Sequence, residues 1–528
     1  MKNKLLLLQI ACVFGISLYA NDLSITNTSY DDGTQTISFD LSWKNSWRTS
    51  VTQPYNYDGI WIFVKVRECT QKNLGSPAGF THAWLSTNAV DHTAANSVPG
   101  GEALTIEVGT SSIAATPRGM GIFIYQTNDV TEAKNITTSV TLKWDKAAQA
   151  GEMAEIDMAD NYDVQVFGIE MVYVPQGNFY LGDGASSNCF RDASNNPYLV
   201  TGEASFTVSG TDNRDINPAA GNVNAGFPKG WNAFWIMKYE ITQQQYAEFL
   251  NTLTPAQAQE RTTDDLFTMT GRNYVMSNNG GIVYRQAIIL DPKGDKRTDR
   301  FYVNLDNDNN YNETEDGLGI ACNFLSLRDV FSYLDWAALR PLTEMEYEKA
   351  CRGPIYPQLN EYAWGSVGIT EIQGIVNSGM TNERAIATGV GLCNYGGAGS
   401  GASGPMRVGF AATSTTNRAR AGCSYYGVMD LTGNVAEPFI SFYNNTAITN
   451  LFDGSPGDGE LSADGYQNVA SWPSNAGNAD FAVTLSKGGS WAHGNGNLNV
   501  SRRDEEEYYD DASFVSDRQQ YFGGRGGR

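Results

Sequence analysis

Histidine is almost missing from this chain: His82, His92 and His493 are the only three in 528 residues. Two of them fall in the first hundred positions, which argues against a metal site built from three imidazoles. Cysteine is sparse too, at seven. No Cys-x-x-Cys or Cys/His spacing suggests zinc. Positive charge is in short supply, with 36 Lys and Arg against 58 Asp and Glu and a net charge of -22. A chain so acidic repels phosphate backbones, so nucleic acid is excluded as a partner. After the first twenty residues no apolar run approaches the roughly 20 residues of a membrane helix. A Gly-x-Ser-x-Gly elbow, a phosphate loop and a Gly-x-Gly-x-x-Gly following a strand are all lacking, which removes the commonest hydrolase and nucleotide-binding readings.

What is present begins with a leader. Lys2 and Lys4, an apolar run from Leu5 and the small-residue end Leu18-Tyr19-Ala20 predict a signal peptide over 1–20 and a secreted or cell-surface protein. Any membrane association would then need an anchor the sequence does not identify. Six cysteines follow the leader, Cys69, Cys189, Cys322, Cys351, Cys393 and Cys423. Disulfides are permitted, with fifteen possible connectivities.

Residues 21–160 carry short alternating runs, Thr36–Trp43, Gly59–Val66, Leu104–Val108, Met120–Tyr125 and Val140–Trp144, separated by Gly, Pro, Asn and Asp. That pattern predicts an all-β sandwich module, with a polar, Ala-rich linker near Lys146 to Asn161. Further on, 242–251 and 326–338 have helical apolar spacing, and Thr343-Glu344-Met345-Glu346 opens a third helix with a capping box. Long Gly- and Asn-rich loops fill the rest. One of them, Asp306 to Gly317, looks like a calcium hand, but counted from Asp306 it has Tyr311 where glycine belongs and Gly317 where glutamate belongs.

Four ordered motifs carry a resemblance. They are Met171-Val172-Tyr173-Val174-Pro175-Gln176-Gly177 with Gly182; Phe234 to Thr242; Arg340-Pro341-Leu342-Thr343-Glu344 through Ala350; and Tyr426 to Glu437 followed by Gly488-Gly489-Ser490-Trp491. Together they resemble the formylglycine-generating-enzyme (sulfatase-modifying factor) family over 165–528. The resemblance implies an α+β, C-type-lectin-like domain following the sandwich, braced by structural calcium at Asp430, Gly433, Val435 and Glu437, with Asn394 at a second site. It also implies where catalysis would be: two cysteines that bind copper in the enzymes correspond to His493 and Leu498. Neither is a thiolate, so no catalytic residue is assigned.

The stretch 487–528 has fixed-looking ends, Lys-Gly-Gly-Ser-Trp and Gly-Gly-Arg-Gly-Gly-Arg, around a middle with no helical or strand period. Within the family this resembles the variable proteins of diversity-generating retroelements, whose C-terminal codons are rewritten while the scaffold is kept. The expected binding face comprises Ala492, His493, Gly494, Asn495, Gly496, Asn497, Asn499, Arg503, Asp504, Glu505, Tyr508, Tyr509, Ser513 and Tyr521. Leu498 and Val500, two apart, predict a short strand with one buried side. The expected ligand is a protein or glycan at a cell or phage surface. Two alternatives remain open: a structural cell-surface scaffold like the gliding-motility relatives, and a metal-dependent oxidase.

Overall fold

The computed structural model describes residues 23–528 except 70–78, 97–100, 114–115, 154–155, 159–160, 185–188, 211–213, 220, 278–279, 293–299, 388, 398–401, 414–415, 442–451, 474–483 and 504–516. The architecture is mixed α+β, mostly strand, with five short α-helices among the described residues.

Two antiparallel sheets dominate the first 174 residues. One has four strands: Ser24–Asp31, Thr36–Ser46, Lys134–Lys143 and Thr93–Asn96, in that spatial order. Alternation decides its faces: Ile37, Phe39, Leu41 and Trp43 are buried and share a core with Ile60, Ile62, Val64 and Val66 of the strand Tyr57–Glu68. That second strand belongs to the larger sheet and is buried without interruption from Asp58 to Val66, because both of its faces are covered. Its odd-numbered Trp61 and Phe63 enter a different cluster, with Trp235, Phe249 and Trp336. The Trp61 indole donates to Ala337 O at 2.9 Å, and Phe63 meets Trp336 edge-on at 5.0 Å.

The expected linker near 146–161 begins instead with a helix, Lys146–Glu152. It leads into a strand, Tyr162–Val174, which pairs with the whole of Tyr57–Glu68, from Tyr57 opposite Tyr173 to Glu68 opposite Tyr162. On its other edge Met171–Val174 pair with Phe234–Met237. The six-stranded sheet therefore runs through the expected boundary at 160–165, and the two parts share a strand and a core. Sequence spacing does not reveal this, since the pairing partner of a strand is not written in its own alternation.

The predicted helices form as Gln243–Thr252, Leu327–Trp336 and Glu344–Arg352, each opened by a capping box: Thr242 with Gln245, Ser326 with Asp329, Thr343 with Glu346. Against the second and the neighbouring strand lie Gly523 to Arg528. Trp235 and Arg528 exchange backbone hydrogen bonds at 2.9 Å, as do Arg340 and Gly527 at 2.8 and 2.9 Å. Glycine is required here by contact: a Cβ on Gly526 would stand 2.2 Å from Leu334 Cδ2.

All six described cysteines are free, so no disulfide braces this scaffold among the described residues. No described helix is long and apolar enough to cross a membrane.

Candidate binding face

Gly488 and Gly489 take left-handed conformations, φ +82° and +61°, and turn the chain out of the strand Thr484–Lys487. Trp491 then points inward, fully buried, its indole donating to Gln520 O at 3.2 Å and its ring 4.9 Å from that of Tyr284. The next anchor is Leu498, buried with Tyr362, Trp364 and Cys393. Between these two plugs the chain surfaces. Gly494, Asn495 and Gly496 are exposed; Ala492, His493 and Asn497 are partly so. A 3-10 turn, Asn495–Leu498, stands in place of the expected strand: Leu498, its last residue, is buried, and Val500 N donates to Glu361 O at 3.0 Å, outside any named strand. Leu498 and Val500 are nonetheless both inside.

The loop is held by its neighbours. Gly396 N donates to His493 O at 2.9 Å and Gly397 N to Trp491 O at 2.8 Å. Ser490 Oγ lies 3.0 Å from His493 Nδ1, and the His493 ring meets Tyr521 edge-on at 4.9 Å. Tyr362 OH donates to Asn495 O, Arg502 to Asn497 Oδ1 at 2.5 Å, and Asn499 Nδ2 to Asn360 O at 2.7 Å. Asn360, Tyr362, Gly396 and Gly397 border the face although nothing in the sequence marks them, since they come from distant loops.

Arg503 is a correction. It is buried, with its guanidinium on both oxygens of Glu344 at 2.7 and 2.9 Å and over the Phe190 ring at 4.0 Å, so it is a scaffold residue and not part of an exposed face. Glu344 opens the helix Glu344–Arg352, where an acid already suits the positive end of the helix. Arg518 repeats the arrangement: its Nε lies 2.8 Å from Asp329, the N3 acid of the helix Leu327–Trp336, which Arg261 also reaches at 3.3 Å. Asp504, Glu505, Tyr508, Tyr509 and Ser513 lie outside the described residues. Tyr521 is partly buried and Phe522 buried.

The positions expected to hold calcium lie close behind this face. Asp430 and Gly433 turn left-handed, φ +57° and +81°. Asp430 Oδ2 accepts from Gly409 N at 2.5 Å, and Glu240 accepts from Asn434 Nδ2 and Val435 N at 2.8 and 3.2 Å. Glu437 decides the fit: both its oxygens accept from Arg525, at 2.7 and 2.6 Å, with both side chains buried. Arg525 also donates to the carbonyls of Met237 and Lys238. A guanidinium thus supplies the positive charge at Glu437, and the set Asp430, Gly433, Val435 and Glu437 does not fit a cation cage. Burial raises the Glu240, Asp430 and Glu437 carboxyls above their ordinary values, with neighbouring acids adding to the effect at Glu240 and Glu437 and Arg525 opposing it. Asn394 is buried, its amide nitrogen donating to Gly404 O and Asn434 Oδ1, while Asn394 Oδ1 has no hydrogen-bond partner among the described residues. No three Asp, Glu, His or Cys side chains converge as a preformed metal site among the described residues.

At the two positions where the resemblance leads one to expect the enzymes' cysteines, His493 is partly buried and Leu498 buried. The nearest thiol in that cluster, Cys393, donates to Thr432 O at 3.1 Å and is raised well above the ordinary thiol range by burial. A protonated, enclosed thiol is a poor nucleophile and a poor copper ligand.

No curated protein matches the chain. Among solved structures, one described as pH-induced modulation of Streptococcus parasanguinis adhesion by Fap1 fimbriae is similar over 34% of this chain and 74% of that one, at 14% identity and a TM-score of 0.13. Similarity that slight carries no argument. The model of the sulfatase-modifying factor enzyme 1-like domain matches residues 159–518, a span that begins just before the strand Tyr162–Val174 and includes the loop between Trp491 and Leu498. The chain belongs to that family, sulfatase-modifying factor enzyme 1-like.

Proposed function

We propose that the chain is a non-catalytic, secreted or surface-displayed binding protein of C-type-lectin-like fold, whose C-terminal face varies while its scaffold does not. The observation that carries this reading is the spacing of plugs and turn: buried Trp491 and Leu498 hold Gly494, Asn495 and Gly496 in solvent without those residues contributing to the core. Preorganised loops lose little entropy on binding, so a rigid frame favours affinity for whatever the loop's side chains fit. Tyr508, Tyr509 and Tyr521 would give stiff aromatic contact area, and Asn and Ser adaptable hydrogen bonds, as antibody loops do. The partner is a protein or glycan on a cell or phage surface. Calcium is not assigned to Glu437 in this reading; its brace is Arg525.

The test is comparative sequencing of the last forty codons in sister strains, together with the neighbouring DNA. Variation confined to 492–497, 499 and 504–521 apart from the framework residue Arg518, beside a near-copy differing at adenines and a reverse transcriptase gene, supports the reading. Constant residues throughout would move the chain to the scaffold class. Conversion of a cysteine peptide to an aldehyde by the copper-loaded protein would move it to the oxidases.

A further inference from the structure

The acidic loop 304–316 follows the strand Arg300–Val303 and, counted from Asp306, fails as a calcium hand at its sixth and twelfth positions. Asn304 is fully buried. Its amide nitrogen donates to Asp308 O at 3.1 Å, which turns the amide toward the loop, and its Oδ1 has no hydrogen-bond partner among the described residues. Counted from Asn304, oxygen-bearing side chains occupy every position such a loop uses: Asp306 third, Asp308 fifth, Asn312 ninth and Glu315 twelfth, with the Asn310 carbonyl seventh.

A second buried acceptor faces the same loop. Asp316 is buried; one carboxylate oxygen accepts from Glu313 N at 2.7 Å and the other, Oδ1, has no partner among the described residues. Burial first, and then the charges of Asp306, Glu313 and Asp308, work against its ionised form. Arg272 stands at the rim, donating to the Asp308 carbonyl and to Asn307 Oδ1. Two enclosed acceptors with no donor among the described residues, one of them under the influence of the Asp306, Asp308 and Glu313 charges, favour a positive partner at this loop.

We propose that the loop Asn304–Asp316 binds one calcium ion through Asn304, Asp306, Asp308, Asp316 and loop carbonyls, a site separate from the Asp430–Glu437 turn. An all-oxygen set of flexible carboxylates and amides suits calcium over zinc or copper. Asn309 stands at the sixth position in place of glycine, and Asn307 and Asn312 take the left-handed turns, φ +60° and +59°. The loop therefore bends differently from a helix-loop-helix hand. Asn312 Oδ1 already accepts from Val303 N at 2.9 Å, so its position is filled through water or not at all. The exposed Asp306 carboxylate and the partly exposed one of Asp308, which accept from Asp308 N at 3.1 Å and Asn310 N at 2.6 Å, swing in on binding, which places the affinity among extracellular modules, at about 10⁻⁴–10⁻³ M.

Terbium luminescence on the full chain tests this, because Tyr274 OH donates to Asn304 O and Asn307 Oδ1 and Tyr311 lies within the loop, so both are placed to sensitise the ion. The expected result is tyrosine-sensitised emission with one equivalent bound, displaced by calcium. In the double variant Asp306→Asn/Asp308→Asn, whose side chains are outside the core, affinity falls at least about tenfold, with an unchanged circular dichroism spectrum; Asp316→Asn gives the same direction. Emission that is absent at about 10⁻² M terbium, above the weak end of the extracellular range, overturns the proposal. So does a titration that the double variant leaves unchanged.

Discussion

Glycines divide the segment from Lys487 to Arg528 into two regions with opposite rules. At Gly526 an added Cβ would stand 2.2 Å from Leu334, and at Gly527 2.5 Å from Trp235 O, because the backbone there is threaded between the strand Phe234–Met237 and Arg340. At Gly494 an added Cβ meets nothing within 4 Å, and at Gly496 only Arg502 Nη1 at 3.6 Å. The charged residues divide the same way. Arg503, Arg518 and Arg525 reach carboxylates on the framework, at Glu344, Asp329 and Glu437, whereas the exposed turn carries no charge. The lesson is that a surface free to change needs ends that are not, and here buried ion pairs and close glycine contacts fix them.

The sharpest way to break that contrast is at Arg525. Replacing it with Met leaves Glu437 buried without its partner, and loss of one member of such a pair costs about 3–5 kcal/mol; denaturant unfolding should read that loss. Gly526→Ala comes next. Overpacking against Leu334 costs about 1–3 kcal/mol, visible as a lower melting temperature with the same unfolding slope. Acid probes the framework alone. Burial, then nearby Lys65, holds the His82 imidazole far below its ordinary value, with Nε2 2.7 Å from Met120 O. The unfolded chain therefore takes up a proton near pH 6.5 that the folded chain refuses. Stability falls as pH drops through that value, by up to about 1.4 kcal/mol per pH unit until the folded imidazole titrates. His82→Gln should flatten that part of the pH profile. The smallest effect is predicted in the loop: Gly494→Ser stays within about 0.5 kcal/mol of the parent.

Much of this was legible in the residues. Alternation at Ile37, Phe39, Leu41 and Trp43 gives a half-buried strand, and the capping signals at Thr242, Ser326 and Thr343 place three helices, because both patterns act over a few neighbouring residues. What depended on distant partners was not. Tyr162–Val174 reads as one strand, but nothing in it says that it joins Tyr57–Glu68 and fuses the two parts. Arg503 reads as a surface arginine until Glu344 is brought beneath it, and Glu437 as a metal ligand until Arg525 arrives from 88 positions away. Asn304 likewise reads as the end of a strand, and only its buried oxygen, unpartnered among the described residues, draws attention to its place beside the acidic loop.

The central claim, that the framework holds whatever the loop displays, is tested most directly by unfolding a set of chains with residues 494–496 replaced together by varied polar and aromatic side chains. The account predicts cooperative unfolding within about 1 kcal/mol of the parent across the set. Losses of about 3 kcal/mol or more, the size expected for a core residue, would contradict it, because the turn would then be part of what holds the fold together.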